Sequence, residues 1–170
     1  MASSIYGRVG GVIDGLSIHC ATGPNFIRGR IGGDVFGADL DLHVDAPGGT
    51  VTGRMGGAII GRSVDVRYGA GSIYGRVGGA VDGNDLSLSG TERISGRCGG
   101  AIIGFDCDLK LDGMEMTGRL GGAIIGKSVA ISISTDLPPI LSALVAVLTY
   151  YHYLVNTRNR GSGGSSGRGK

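Results

Sequence analysis

The sequence predicts an all-β fold, a β-solenoid (β-helix) of about six coils with ~22-residue repeats, followed by one C-terminal α-helix. Three observations carry this reading. The pentapeptide GRxGG recurs six times, apolar residues alternate with small or polar ones around each copy, and a charge-free run fills residues 137–155. They divide the chain into a solenoid over 1–135, an apolar helix over 136–157 and a flexible basic Gly/Ser tail over 158–170.

The copies are GRVGG (7–11), GRIGG (29–33), GRMGG (53–57), GRVGG (75–79), GRCGG (96–100) and GRLGG (118–122). Their first glycines are separated by 22, 24, 22, 21 and 22 residues, the mark of a repeat architecture. Counted from that glycine, an aliphatic residue sits two before it, another two after and a third six after. In the fifth copy these are Ile94, Cys98 and Ile102. A period of two is strand geometry. Beyond the glycine at offset eight the phase changes, and offsets eleven and thirteen are apolar, as in Leu86 and Leu88. Turn chemistry such as TGPN, DAPGG and SGTE precedes each new copy.

Stacked coils would bury ladders of Ile, Val and Leu that no single copy can bury alone. A β-meander or up-and-down barrel would use the same period, with AD (38–39), RS (62–63), ND (84–85), FD (105–106) and KS (127–128) as two-residue turns. The two apolar runs of a copy are unequal in length, whereas paired hairpin strands are normally matched, and this favours the coil.

The phrase IYGRVGGAVDGNDLSL (73–88) resembles the winding motif of bactofilins, and the resemblance covers about residues 3–133. It implies a β-helical domain of a cytoskeletal kind that polymerises end to end without nucleotide and often associates with membranes.

In stacked copies Arg8, Arg30, Arg54, Arg76, Arg97 and Arg119 form one outward column. Like charges that close require neutralisation, which Asp39, Asp41, Asp65, Asp85, Asp106 and Asp108 of the second strand can supply. The alternative is a partner-binding column for an acidic partner or polyanion. Residues 1–157 carry twelve basic and fourteen acidic residues, which disfavours nucleic acid except weakly through the tail, where Arg158, Arg160, Arg168 and Lys170 lie.

No catalytic constellation, cofactor motif or metal site is read from the spacing. His19 and His43 do not recur, the hexapeptide period of acyltransferases is missing, and the aspartate of calcium-binding nonapeptides is not repeated. Cys20, Cys98 and Cys107 replace aliphatic residues of the repeat and read as small core hydrophobes, which suits a cytoplasmic location. The opening MASSIYGRVGG lacks the features of a signal peptide.

LPPILSALVAVLTYYHYLV (137–155) reads as a helix with Leu141, Leu144, Val145, Leu148, Tyr151 and Leu154 as assembly or membrane residues. At about 28 Å it is long enough to span a bilayer, and Tyr150, Tyr151 and Tyr153 before Arg158 and Arg160 resemble an interfacial belt. A cap on the last coil and an oligomer-core bundle are the other two uses. The functional expectation is a non-enzymatic, self-assembling scaffold, a filament or closed homo-oligomer, with this helix directing or anchoring assembly. A binding module using the arginine column is the alternative.

Overall fold

The chain, in a computed structural model, is an up-and-down β-barrel closed around its own C-terminal helix. Residues 3–11, 15–33, 37–56, 61–78, 83–99, 104–122 and 126–162 are described, with side chains to residue 157. The first six strands are β1 (Ser3–Val9), β2 (Leu16–Gly23), β3 (Phe26–Gly32), β4 (Ala38–Asp45), β5 (Thr50–Gly56) and β6 (Gly61–Tyr68). The next six are β7 (Ser72–Val77), β8 (Asn84–Ser89), β9 (Arg93–Gly99), β10 (Gly104–Asp112), β11 (Glu115–Gly121) and β12 (Gly126–Ser132). The helix α1 spans Pro139–Ser162. Each strand pairs antiparallel with its neighbours in sequence, and β1 pairs with β12 to close the wall.

The β-solenoid is therefore wrong, and the likeness to bactofilins, which rested on coils, goes with it. Each copy of the repeat is a hairpin of one barrel rather than a coil of a rod. The residues proposed as two-residue turns, such as Arg62 with Ser63, lie within the first three residues of the even strands. The strands of a copy are also matched, as seven-residue β3 and eight-residue β4 illustrate. The inequality read from the sequence came from running the first strand on to offset six. Those aliphatic residues, Ile13, Val35, Ile59, Val81, Ile102 and Ile124, lie outside the described residues. The odd strands stop at the first glycine of the GG pair or one residue before it. At Gly99 φ is 104°, a conformation that disfavours any side chain and turns the backbone out of the ladder.

The glycine before arginine has a different reason. Gly96 occupies an inward place on β9 with φ 157°, and a Cβ there would strike the Ser87 carbonyl of β8. The corresponding glycine of every other copy crowds a neighbouring carbonyl in the same way. Such a site lets two backbones approach and the wall bend.

Register fixes the barrel's width. Crossing from Arg8 through Ser17 to Gly32 advances the position by two residues relative to Arg30, and each later hairpin repeats the step. Six hairpins give a stagger equal to the strand number, the ratio that sets a tilt of about 36° in eight-stranded barrels. Side chains alone just fill an eight-stranded barrel, and diameter grows with strand number. Twelve strands leave an axial space that a helix of about 10–12 Å diameter can fill.

Helix α1 fills it. Every residue from Ile140 to Tyr151 is buried, packed against Ile5, Ile18, Ile27, Leu86, Ile94 and their equivalents on all sides of the lumen. The outer face carries the alternate polar residues, as the period of two requires. Connections from even to odd strands lie at one end, here the base, and those from odd to even strands at the other, the mouth. The chain leaves β12 at the base, where Ser134 is held by hydroxyl contacts to Thr22 (2.7 Å) and Ser3 (3.0 Å). The Ser134 amide donates to Ser142 Oγ, and Thr149 Oγ1 donates to the Val145 carbonyl, so the helix's buried hydroxyls are satisfied. Pro139 opens the helix, a position where its missing N–H costs nothing. The stretch Pro139–Thr157 has a mean hydropathy of 1.3, sufficient in length and composition to cross a bilayer, and 67% of it is buried inside the barrel.

Candidate functional site at the mouth of the barrel

The residue at offset nine of each copy is the first or second of an even strand and points inward at the mouth. These residues are Leu16, Ala38, Arg62, Asn84, Phe105 and Lys127, and they form the last layer of the lumen wall. Below them the wall is mainly aliphatic, with the inward glycines, Met55, Met116 and the three cysteines among the aliphatic side chains. In this layer polar and aromatic groups meet the tyrosines of α1. Asn84 Nδ2 donates to the Tyr151 hydroxyl over 3.3 Å, and the Arg62 guanidinium lies 5.8 Å from the Tyr151 ring centre. Lys127 Nζ sits 4.7 Å from the centre of Tyr153. Phe105 meets Tyr150 edge to face at 4.7 Å, and Tyr150 stacks on Tyr153 at 6.1 Å.

Between this part of α1 and β8–β11 lies a cavity of about 540 Å³. Phe105, Tyr150, Tyr151, Leu154 and Val155 give it an apolar wall, and Asn84 and the Arg97–Asp106 pair add polar atoms. Burial pushes the Tyr150 phenol above its ordinary range, so it stays neutral. Burial pushes the Cys98 thiol up to about 12, leaving it protonated and inert.

The six arginines of the predicted column do share one level, but they ring the outside of the barrel just below the mouth. They occupy alternate strands, so each is separated from the next by an even strand. Arg30, Arg76 and Arg97 pair within their own hairpins with Asp39 (3.1 Å), Asp85 (2.8 Å) and Asp106 (2.7 Å). Arg8 donates to the Gly11 carbonyl and Arg119 to that of Gly122, and Arg54 stands opposite Asp41 in register. Of the helix residues singled out, Leu141, Leu144, Val145, Leu148 and Tyr151 are buried in the lumen, and Leu154 is half-buried at the mouth. No three described His, Cys, Asp or Glu residues gather as metal ligands, and His19 and His43 lie exposed on the outer face.

Sequence reasoning missed Arg62, Asn84, Phe105, Lys127, Tyr150 and Tyr153 as one constellation. The available signal was that offset nine shares the inward phase of the aliphatic offsets eleven and thirteen but varies from alanine to arginine between copies.

The ring of arginines also makes the barrel electrically polar. Among the described side chains, the ring and everything nearer the mouth carry eight basic groups (the ring with Arg62 and Lys127) against three acidic ones (Asp39, Asp85, Asp106). From the next level to the base, four basic groups (Arg28, Arg67, Arg93, Lys110) face eight acidic ones. The latter are Asp41, Asp45, Asp65, Glu92, Asp108, Asp112, Glu115 and Asp136.

Compared with known proteins, the chain matches no family model, no curated protein and no solved structure.

Proposed function

We propose that the protein is a structural, self-assembling barrel whose copies associate head to tail, the acidic base of one against the basic mouth of the next. The observation that carries this reading is the opposite charge of the two ends. Two unlike, complementary surfaces on one chain make a heterologous contact, which closes into a ring or continues as a filament. Polymerisation by adding strands to an open edge is not available to a closed wall, so the contact falls to the ends. The helix α1 directs it by filling the lumen and leaving through the mouth. Such a protein needs no cofactor or catalytic residue, and three free, buried cysteines suit the cytoplasm. Membrane attachment through 137–155 would require α1 to leave the lumen and expose the apolar wall it now covers.

A second reading is favoured by the basic mouth and the basic tail that follows it. There the mouth captures an acidic partner or polyanion in place of another copy.

Sedimentation velocity at low and high salt tests the proposal. At about 0.02 M salt the screening length is roughly 20 Å and end-to-end attraction persists, while at about 1 M it is near 3 Å. Larger species at low salt that dissolve to monomer at high salt are expected. A monomer under both conditions across concentration would overturn assembly. Binding of a polyanion by that monomer would then favour the second reading.

A further inference from the structure

The cavity at the mouth is a gap in a lumen that is otherwise filled, and its described lining carries no net charge. The only charged side chains on that lining are Arg97 and Asp106, which are paired with each other at 2.7 Å. The two other cations of the mouth layer are engaged with rings, Arg62 with Tyr151 at 5.8 Å and Lys127 with Tyr153 at 4.7 Å. What remains on the lining is apolar or neutral. Phe105, Tyr150, Leu154 and Val155 make the wall, with Phe105 and Tyr150 edge to face at 4.7 Å.

Hydrogen-bonding capacity is nevertheless present. Asn84 donates one amide N–H to the Tyr151 hydroxyl over 3.3 Å. The Tyr150 hydroxyl makes no hydrogen bond among the described residues, although no described buried side-chain polar atom lacks a partner. That hydroxyl therefore reaches open space, and the space Tyr150 lines is this cavity.

We infer that this cavity binds a small uncharged aromatic molecule, its flat body against Phe105, Leu154 and Val155 and one neutral carbonyl accepting from the Tyr150 hydroxyl. The volume of about 540 Å³ falls within the range of small-molecule sites, roughly 300–1,000 Å³. The wall selects the body, because aromatic faces and edges accept a further ring at about the spacing they give one another. The paired charges select against ions. An ion that enters loses water and recovers the cost only from an unpaired opposite charge. Here an anion would have to draw Arg97 off Asp106, and a cation would have to draw Asp106 off Arg97. Either exchange strands the charge left behind. A neutral carbonyl needs only the donor that Tyr150 already presents.

Calorimetry on the full chain compares three molecules of one shape: 2-naphthamide, which is neutral, 2-naphthoate, an anion, and 2-naphthamidine, a cation. At about 1 M salt the screening length is near 3 Å, which suppresses both end-to-end assembly and the field of the basic mouth. The site is thereby tested apart from head-to-tail association. The amide is expected to bind with a Kd below about 1 mM, and each ion about tenfold or more weakly. Tyr150→Phe, which keeps the ring, is expected to weaken the amide several-fold. Leu154→Trp, which fills the cavity, is expected to abolish its binding. Where Leu154→Trp does not fold by circular dichroism, Val155→Trp at the rim replaces it. On the unmodified chain the amide is expected to shift the ring resonances of Phe105 and Tyr150. Failure of the amide to bind, an ion that binds as tightly, full affinity in Tyr150→Phe, or shifts confined to other residues would each overturn the assignment.

Discussion

The ring of Phe105 on the barrel wall stands edge-on to the ring of Tyr150 on the central helix, with centroids 4.7 Å apart and planes at 81°. Both side chains are buried, at 5% exposure each. The edge-to-face arrangement sets the positive edge of one ring against the negative face of the other. It is a tie between wall and helix at the end where the helix leaves, far from the covalent link at the base.

Truncating that tie should be costly. Phe105→Ala removes buried ring area and the aromatic pair together, and a loss of about 3 kcal/mol is expected from urea unfolding. A loss below about 1 kcal/mol would mean that the rings are not packed on one another.

The helix as a whole should be indispensable to the barrel. Leu144 is fully buried at its middle, with the sheet wall around it. Leu144→Ala is expected to cost about 2–5 kcal/mol, and Leu144→Asp, which buries an unpaired carboxylate, to abolish folding at ordinary temperature. A chain ending at residue 136 would leave a wide apolar lumen open to water. It should lose its cooperative thermal transition and bind an apolar dye. A sharp transition for that chain would show that the wall closes without its helix.

Much of this arrangement was legible in the sequence, in particular pieces. The period of two at Ile94, Gly96 and Cys98 gave the strands and the inward face correctly, because alternation is a local property of the pleat. The recurrence of arginine gave one level on the outer face. What was not legible was which strand lies beside which. A copy with two strands stacks as a coil or pairs as a hairpin with the same inward residues, and the aliphatic residue at offset six prolonged the alternation past the true strand end at Gly99. The place of the helix was hidden for a related reason. A charge-free run of this length suits a bilayer, a bundle or a barrel lumen equally, and only the strand count shows that a lumen needs it. The mouth residues escaped notice because Arg62, Asn84 and Lys127 look like turn residues until they are seen to lie within the strand.

Gly96 tests the account of the repeated motif. With φ at 157° and the Ser87 carbonyl against its α-carbon, an added methyl has no room unless β8 and β9 separate. Gly96→Ala is expected to destabilise by about 2 kcal/mol or more, combining backbone strain with that clash. Gly113→Ala is the control. Its φ of 65° carries strain, but open space surrounds the new methyl, so a smaller cost of about 1 kcal/mol is expected. Equal melting temperatures for the two variants would remove crowding as the reason for the glycine.

The three cysteines report on the lumen directly. Cys20, Cys98 and Cys107 are free and buried, and desolvation pushes each thiol up to about 12 from an ordinary value of 9.0. A thiolate is the reactive form, so none should react with a disulfide reagent at pH 8 in the native protein, and all three should react in denaturant. The same shift has a consequence for stability, and its sign follows from proton binding. Above pH 9 the unfolded chain releases thiol protons that the folded chain still holds. The stabilisation from keeping these thiols neutral is therefore complete below pH 9 and is lost as pH rises toward about 12. Unfolding midpoints measured from pH 8 upward should fall, and replacing the cysteines together by alanine, at its own cost in packing, should flatten the part of that fall due to thiols. Rapid native-state labelling at pH 8 would show instead that α1 leaves the lumen readily.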